Sequence, residues 1–175
     1  MCGRAATLVT ALVVVVALMA APNATAATDA TLNVVHGVPG LTVTVCLHGN
    51  PAILDFTPGE VVSGVPAGAG DHEVTIVADG DPCSAAVLQA GVRLEAGKSY
   101  TAVAHLTADG DPKLSLFRNN VRPLKPGTAR LVVRHTAAAP AVDVFANGAR
   151  IFEGVENDDS AAIRSRRGST RPGPR

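Results

Sequence analysis

The sequence predicts an all-β protein: an antiparallel immunoglobulin-like or transthyretin-like β-sandwich followed by an incomplete second copy of the same module. Three observations predict it. Apolar and polar residues alternate in short runs such as Leu41-Thr-Val43-Thr-Val45-Cys-Leu47 and His72-Glu-Val74-Thr-Ile76-Val-Ala78, the period that puts every second side chain on one face of a strand. Turn residues separate these runs at sandwich-like spacing, and no stretch after residue 26 carries a sustained helical period. The chain also starts to repeat itself. Ala30-Thr-Leu32-Asn-Val34-Val-His36 returns ninety-nine residues later as Ala129-Arg-Leu131-Val-Val133-Arg-His135, Val43 and Val45 align without a gap on Val142 and Val144, and Gly49 aligns on Gly148. Seven identities in twenty ungapped positions on one alternating pattern point to a single module used twice.

Residues 1–26 read as a secretory signal peptide. Arg4 supplies a positive start, Ala5 to Ala21 is apolar apart from Thr7 and Thr10, and Ala24-Thr-Ala26 offers small residues for cleavage. An uncleaved anchor is the alternative, but the apolar run is short against the roughly 20 residues a spanning helix needs. Residues 30–120 form the complete module. Its expected strands are 32–36, 41–47, 52–56, 61–65, 72–78, 86–94, 99–106 and 113–117. Turns fall at His48-Gly-Asn-Pro51, at Pro66-Ala-Gly-Ala-Gly70, at Asp79-Gly-Asp-Pro82, at Glu95-Ala-Gly-Lys98 and at Asp109-Gly-Asp-Pro112. A linker, 121–128, leads to the partial second module, 129–163, with strands at 130–135, 141–145 and 149–152. Asn147-Gly148 between apolar runs is a hairpin signal, because both turn residues accept positive φ. After Ile163 the alternation ends. Residues 164–175 carry five Arg and no apolar residue to build a core, so a disordered basic tail is expected. The pattern stops where the second Pro-Ala-Gly turn is due. The expectation is a reading-frame shift near residue 163, with an intact version continuing for about 50 further residues.

Val34-Val-His36, a Pro-containing step, Val43-Thr-Val45, and a Pro66-Ala-Gly68 turn before Val74-Thr-Ile76 resemble the bacterial domain-of-unknown-function 4397 family. Leu131-Val-Val-Arg-His135 followed by Pro140-Ala-Val-Asp143 and Asn147-Gly148 is the closer match, and the resemblance covers roughly residues 31–160. It implies an exported, sandwich-like module, often in tandem and often at the cell surface, and it carries no catalytic residues. Two departures stand out. His48-Gly49 replaces the usual Asn-Gly, and the second copy lacks everything after its first hairpin.

Composition limits the function classes. The chain has four Phe, one Tyr and no Trp, which leaves few faces on which bases or sugars could stack. Residues 27–163 hold nine Lys and Arg against fifteen Asp and Glu, so phosphate neutralisation is not the theme of this region and no nucleic-acid partner is expected. Two cysteines, Cys46 and Cys83, follow the signal segment, and an exported chain with two favours one disulfide between them. No two of the five histidines have close ligand spacing, so no metal or other cofactor is expected. His36 and His135, equivalent strand-end residues each before a Pro-containing turn, are the candidates if a metal were held, and capping of the turn through ring nitrogens is the plainer reading. The Asp-Gly-Asp turns lack the distal Glu of a calcium loop. No Gly-x-Ser-x-Gly, phosphate loop or local acid–base pair is present, so an enzyme is not expected. The expected role is an exported, non-catalytic structural or interaction module of the bacterial cell envelope. The partner is open, between an envelope protein and self-association through the incomplete module. A small extracellular binding protein, taking a metal or small ligand through His- and Asp-rich loops, is the alternative.

Overall fold

The computed structural model describes residues 29–166. Ala24, Ala26 and the rest of the expected signal segment, together with residues 167–175 of the expected tail, lie outside the described residues. Twelve strands and no helix make up the described chain. The first eight are β1 (Asp29–His36), β2 (Val43–Leu47), β3 (Asn50–Phe56), β4 (Val61–Gly68), β5 (Gly70–Ala78), β6 (Ala86–Leu94), β7 (Ser99–Leu106) and β8 (Pro112–Asn119). They form two four-stranded sheets, ordered β4-β1-β7-β8 and β3-β2-β5-β6.

The sheets bury one apolar interior between them. Val34 of β1 and Ala104 of β7 meet Val43 and Val45 of β2, Phe56 of β3 and Ile76 of β5, with Leu32, Ile53, Val62, Val74, Leu88 and Leu114 packed around. These residues are the inward set of the alternating runs, and burying each larger one is worth about 1.5–3 kcal/mol. Phe56, 1 % exposed, closes the interior against the His36 ring at 5.4 Å. A smaller cluster of Ala30, Ala67, Leu94 and Tyr100 fills one end.

Three features depart from the expected pattern. The sandwich is not wholly antiparallel, because β1 pairs in parallel with β7, Thr31 opposite Ser99 through His36 opposite Ala104. Pro66-Ala-Gly68 is not a turn. It is the end of β4, with Pro66 opposite Thr31, and the chain passes to the other sheet at a bend before Gly70, whose φ is +134°. Pro66 is tolerated there because β4 is an edge strand and needs no N–H on its open side. Thirdly, β2 is buried on both faces: Val43 and Val45 point into the sandwich, and Thr44 and Cys46 lie under the 79–85 loop.

Beyond residue 120 the strands are β9 (Thr128–Arg134), β10 (Val142–Ala146), β11 (Ala149–Val155) and β12 (Ser160–Arg166). β10 pairs with β11, and β12 with β9. The sequence predicts three strands here, ending with the first hairpin; the structure adds a fourth, β12, paired with β9. Arg164-Ser-Arg166, expected in the disordered tail, continues the strand opposite Arg130, Ala129 and Thr128. Pairing with β9 is made by backbone groups, so it does not require the alternation that ends at Ile163.

Some local features of the β1–β4 region have counterparts in β9–β12. His36 N–H donates to Glu60 O at 3.0 Å, and His135 N–H to Asp159 O at 3.0 Å. Positive φ occurs at His48, Asp55 and Gly59, and again at Asn147, Gly154 and Asp158.

Candidate functional site

Cys46 and Cys83 are joined as a disulfide. Cys46 is fully buried on β2, and Cys83 sits in the loop between β5 and β6. The bridge ties that loop over the outer face of β2, where Thr44 Oγ1 also donates to Asp79 Oδ1 at 3.2 Å. Asp79, the start of one Asp-Gly-Asp turn, is thereby occupied in holding the loop.

The two metal candidates are turn caps. His36 Nε2 donates to Leu41 O at 2.8 Å, and Val38 N–H donates to its Nδ1 at 3.3 Å. His135 Nε2 donates to Pro140 O at 3.0 Å, the same five-residue reach. His36 is 1 % exposed and His135 6 %, and ninety-nine residues separate them along two different sheets. The structure does not bring them together. Among the described residues no group of three or more His, Cys, Asp or Glu is placed to hold a metal ion.

Two constellations were not legible in the sequence. The first is a buried polar junction between β7–β8 and the turn before β12. His105, fully buried, donates from Nδ1 to Leu106 O at 2.9 Å, and its Nε2 and the Ser115 Oγ share a hydrogen bond at 2.8 Å. Asp158 lies at the same end of the ring as Ser115, its Oδ1 3.6 Å from Nε2 and its Oδ2 2.5 Å from Lys113 Nζ. Asn157 Nδ2 donates to Leu106 O at 3.1 Å and to Ala137 O at 2.6 Å. Ser, His and Asp are all present, but not in hydrolytic order. The carboxylate does not engage the ring nitrogen opposite the serine, and a backbone carbonyl orients the ring instead. The arrangement is a structural link. Burial alone would raise the Asp158 pKa, but hydrogen bonds from Lys113 and Ser115, with the charge of Lys113, outweigh it and hold the carboxyl below its ordinary value. Asp158 occupies the left-handed position that Gly59 holds in the first half, at φ +72° against +84°. The same junction continues on β8, where the Arg134 guanidinium lies 4.8 Å over the Phe117 ring and donates to Asn119 Oδ1 at 2.5 Å. Arg118, Arg130, Arg134 and Arg164 line one shallow groove beside it, a basic strip on an otherwise acidic region.

The second constellation is an imidazole pair. The β2–β3 turn places His48 at φ +49°, and β5 carries His72 beside it. His48 Nε2 and His72 Nδ1 are 3.2 Å apart, with ring centroids at 5.2 Å. Twenty-four residues separate the two in the chain, so no short ligand motif could reveal them; only the β2–β5 pairing does.

A family model described as Domain of unknown function (DUF4397) matches residues 30–145. The chain belongs to this family. The match covers more than half of the chain and runs from β1 through most of β10, so it spans the whole sandwich and enters the β9–β12 region. No curated protein matches the chain.

Proposed function

We propose that this DUF4397 protein is an exported, non-catalytic structural or interaction module of the bacterial cell envelope, built as a sandwich followed by a related second unit. The disulfide carries the reading. Cys46–Cys83 is buried at one end and pins a surface loop, and such bonds persist in oxidising compartments outside the cytosol. The amino-terminal apolar segment with small residues at Ala24 and Ala26 supports the same address. The recurrence of the His-capped turn and of the positive-φ positions supports descent of β9–β12 from the β1–β4 half. The arginine-lined groove is the face best suited to an anionic envelope partner. The test is cell fractionation followed by non-reducing peptide mapping. The reading expects the chain outside the cytoplasm, cleaved near Ala26, with Cys46 linked to Cys83. Reduced protein confined to the cytosol would overturn it.

A further inference from the structure

We propose that His48 and His72 form a surface site for a divalent transition-metal ion, with Cu(II) the tightest-bound. Four observations carry it, none dependent on the envelope reading. The facing nitrogens, His48 Nε2 and His72 Nδ1, are 3.2 Å apart. Two imidazoles on one ion at about 2.0–2.1 Å each span that distance at a ligand–metal–ligand angle of roughly 100°, between the right angle of a tetragonal copper site and the tetrahedral angle of a zinc site.

The second observation is the far side of the His72 ring. Its Nε2 donates to Gly68 O at 2.7 Å. That bond fixes the tautomer and leaves the lone pair on Nδ1, the nitrogen nearer His48. Donation of the second ring N–H to a backbone carbonyl is the usual support of a metal-bound histidine.

The third is the turn. Position 48 has φ +49°, and its counterpart Asn147 has φ +50°. Asn is among the residues that adopt this region most readily, so histidine brings the turn no conformational gain. What it adds is a ring nitrogen at the one place where β5 offers another.

The fourth is access. His48 is exposed and His72 half-buried, leaving open positions for water or a third ligand. The neighbouring carboxylates are engaged elsewhere: Asp71 with Arg93 at 2.8 Å and Glu73 with Gln89 at 2.8 Å. The pair therefore supplies two nitrogen ligands, and solvent completes the sphere. Without metal, one proton lies between the rings. On binding, the His48 proton moves from Nε2 to Nδ1, so the ring stays neutral and no redox step is involved. Imidazole ligands and the general order of divalent affinities put Cu(II) ahead of Zn(II) and Ni(II).

The test is calorimetric titration of the full chain with CuCl₂, in a Cys2→Ser background so that this thiol does not compete, with electron paramagnetic resonance of the 1:1 sample. The expected result is one equivalent with couplings from two imidazole nitrogens. His48→Asn, which keeps the turn in the form used at Asn147, should weaken binding at least about tenfold and remove one nitrogen coupling. His72→Gln should do the same, and circular dichroism confirms that each variant keeps its strands. Absence of a titratable equivalent in the parent, or binding and nitrogen couplings unchanged in folded His48→Asn, would overturn the proposal.

Discussion

Replacing Asp158 by Asn tests whether the polar junction holds β9–β12 against the sandwich. The substitution keeps the shape and removes the charge that meets Lys113 Nζ at 2.5 Å. An exposed ion pair is worth about 0–1 kcal/mol, and a charge-assisted hydrogen bond about 1.5–3 kcal/mol. The Asp158 side chain is 28 % exposed and the Lys113 side chain 44 %, which places this pair between the two cases. The expected loss at neutral pH is about 1.5 kcal/mol, roughly a tenfold change in the folding equilibrium. The pH dependence fixes the sign. The folded-state pKa of Asp158 lies below the ordinary carboxylate value, so its contribution is fully present above the unfolded pKa of about 3.9. It disappears as pH falls through the lower, folded-state pKa. Urea unfolding followed by far-ultraviolet circular dichroism should therefore show a gap between parent and Asp158→Asn that is constant from neutral pH to about 5. The gap should then narrow as acid protonates the parent. Lys113→Met in a double-mutant cycle should account for most of it. A gap that is absent at neutral pH, or that stays unchanged into strong acid, would refute the reasoning.

Other expectations follow from the same structure. Removing the disulfide with Cys46→Ser and Cys83→Ser frees a loop with a sequence separation of 37. It should cost about 4 kcal/mol in the chain-entropy account, read as a lower urea midpoint that matches the reduced parent. Phe56→Ala empties a site that is 1 % exposed beside His36 and should cost about 3–5 kcal/mol, whereas Pro66→Ala on the open edge of β4 should stay within about 0.5 kcal/mol. A chain ending at Ile163 should be less stable than one ending at Arg166 by about 1–2 kcal/mol. It loses three residues of the ladder with β9, and equal melting curves would refute that contribution.

What was legible in the sequence is what local rules encode. Val43-Thr-Val45 and Val74-Thr-Ile76 announced strands through alternation, and Asn147-Gly148 announced its hairpin through positive φ. His36 as a turn cap was legible because its turn lies within five residues. The losses have physical causes. Pro66-Ala-Gly-Ala-Gly70 carries the composition of a turn, yet an edge strand accepts proline, so only the sheet order decides. β12 is chosen by backbone pairing with β9, which leaves little mark on side chains such as Arg164 and Arg166. The junction at His105, Ser115 and Asp158, and the pair at His48 and His72, are built by residues from separate strands. Their proximity is a product of register, and one sequence does not state register.

The parallel pairing of β1 with β7 bears on how the chain folds. β1 is an inner strand, and its second neighbour is made from residues some three-quarters of a module later, Thr31 meeting Ser99. During synthesis the β2–β3 hairpin and the β5–β6 pair can zip from neighbouring residues, while one edge of β1 waits for β7 to emerge. Closing so long a loop before any contact rewards it slows the search and leaves a sticky strand uncovered meanwhile. The rate-limiting event in refolding should therefore be capture of β1 by β7, and mutations at Val34 or Val103 should slow folding more than those in β6.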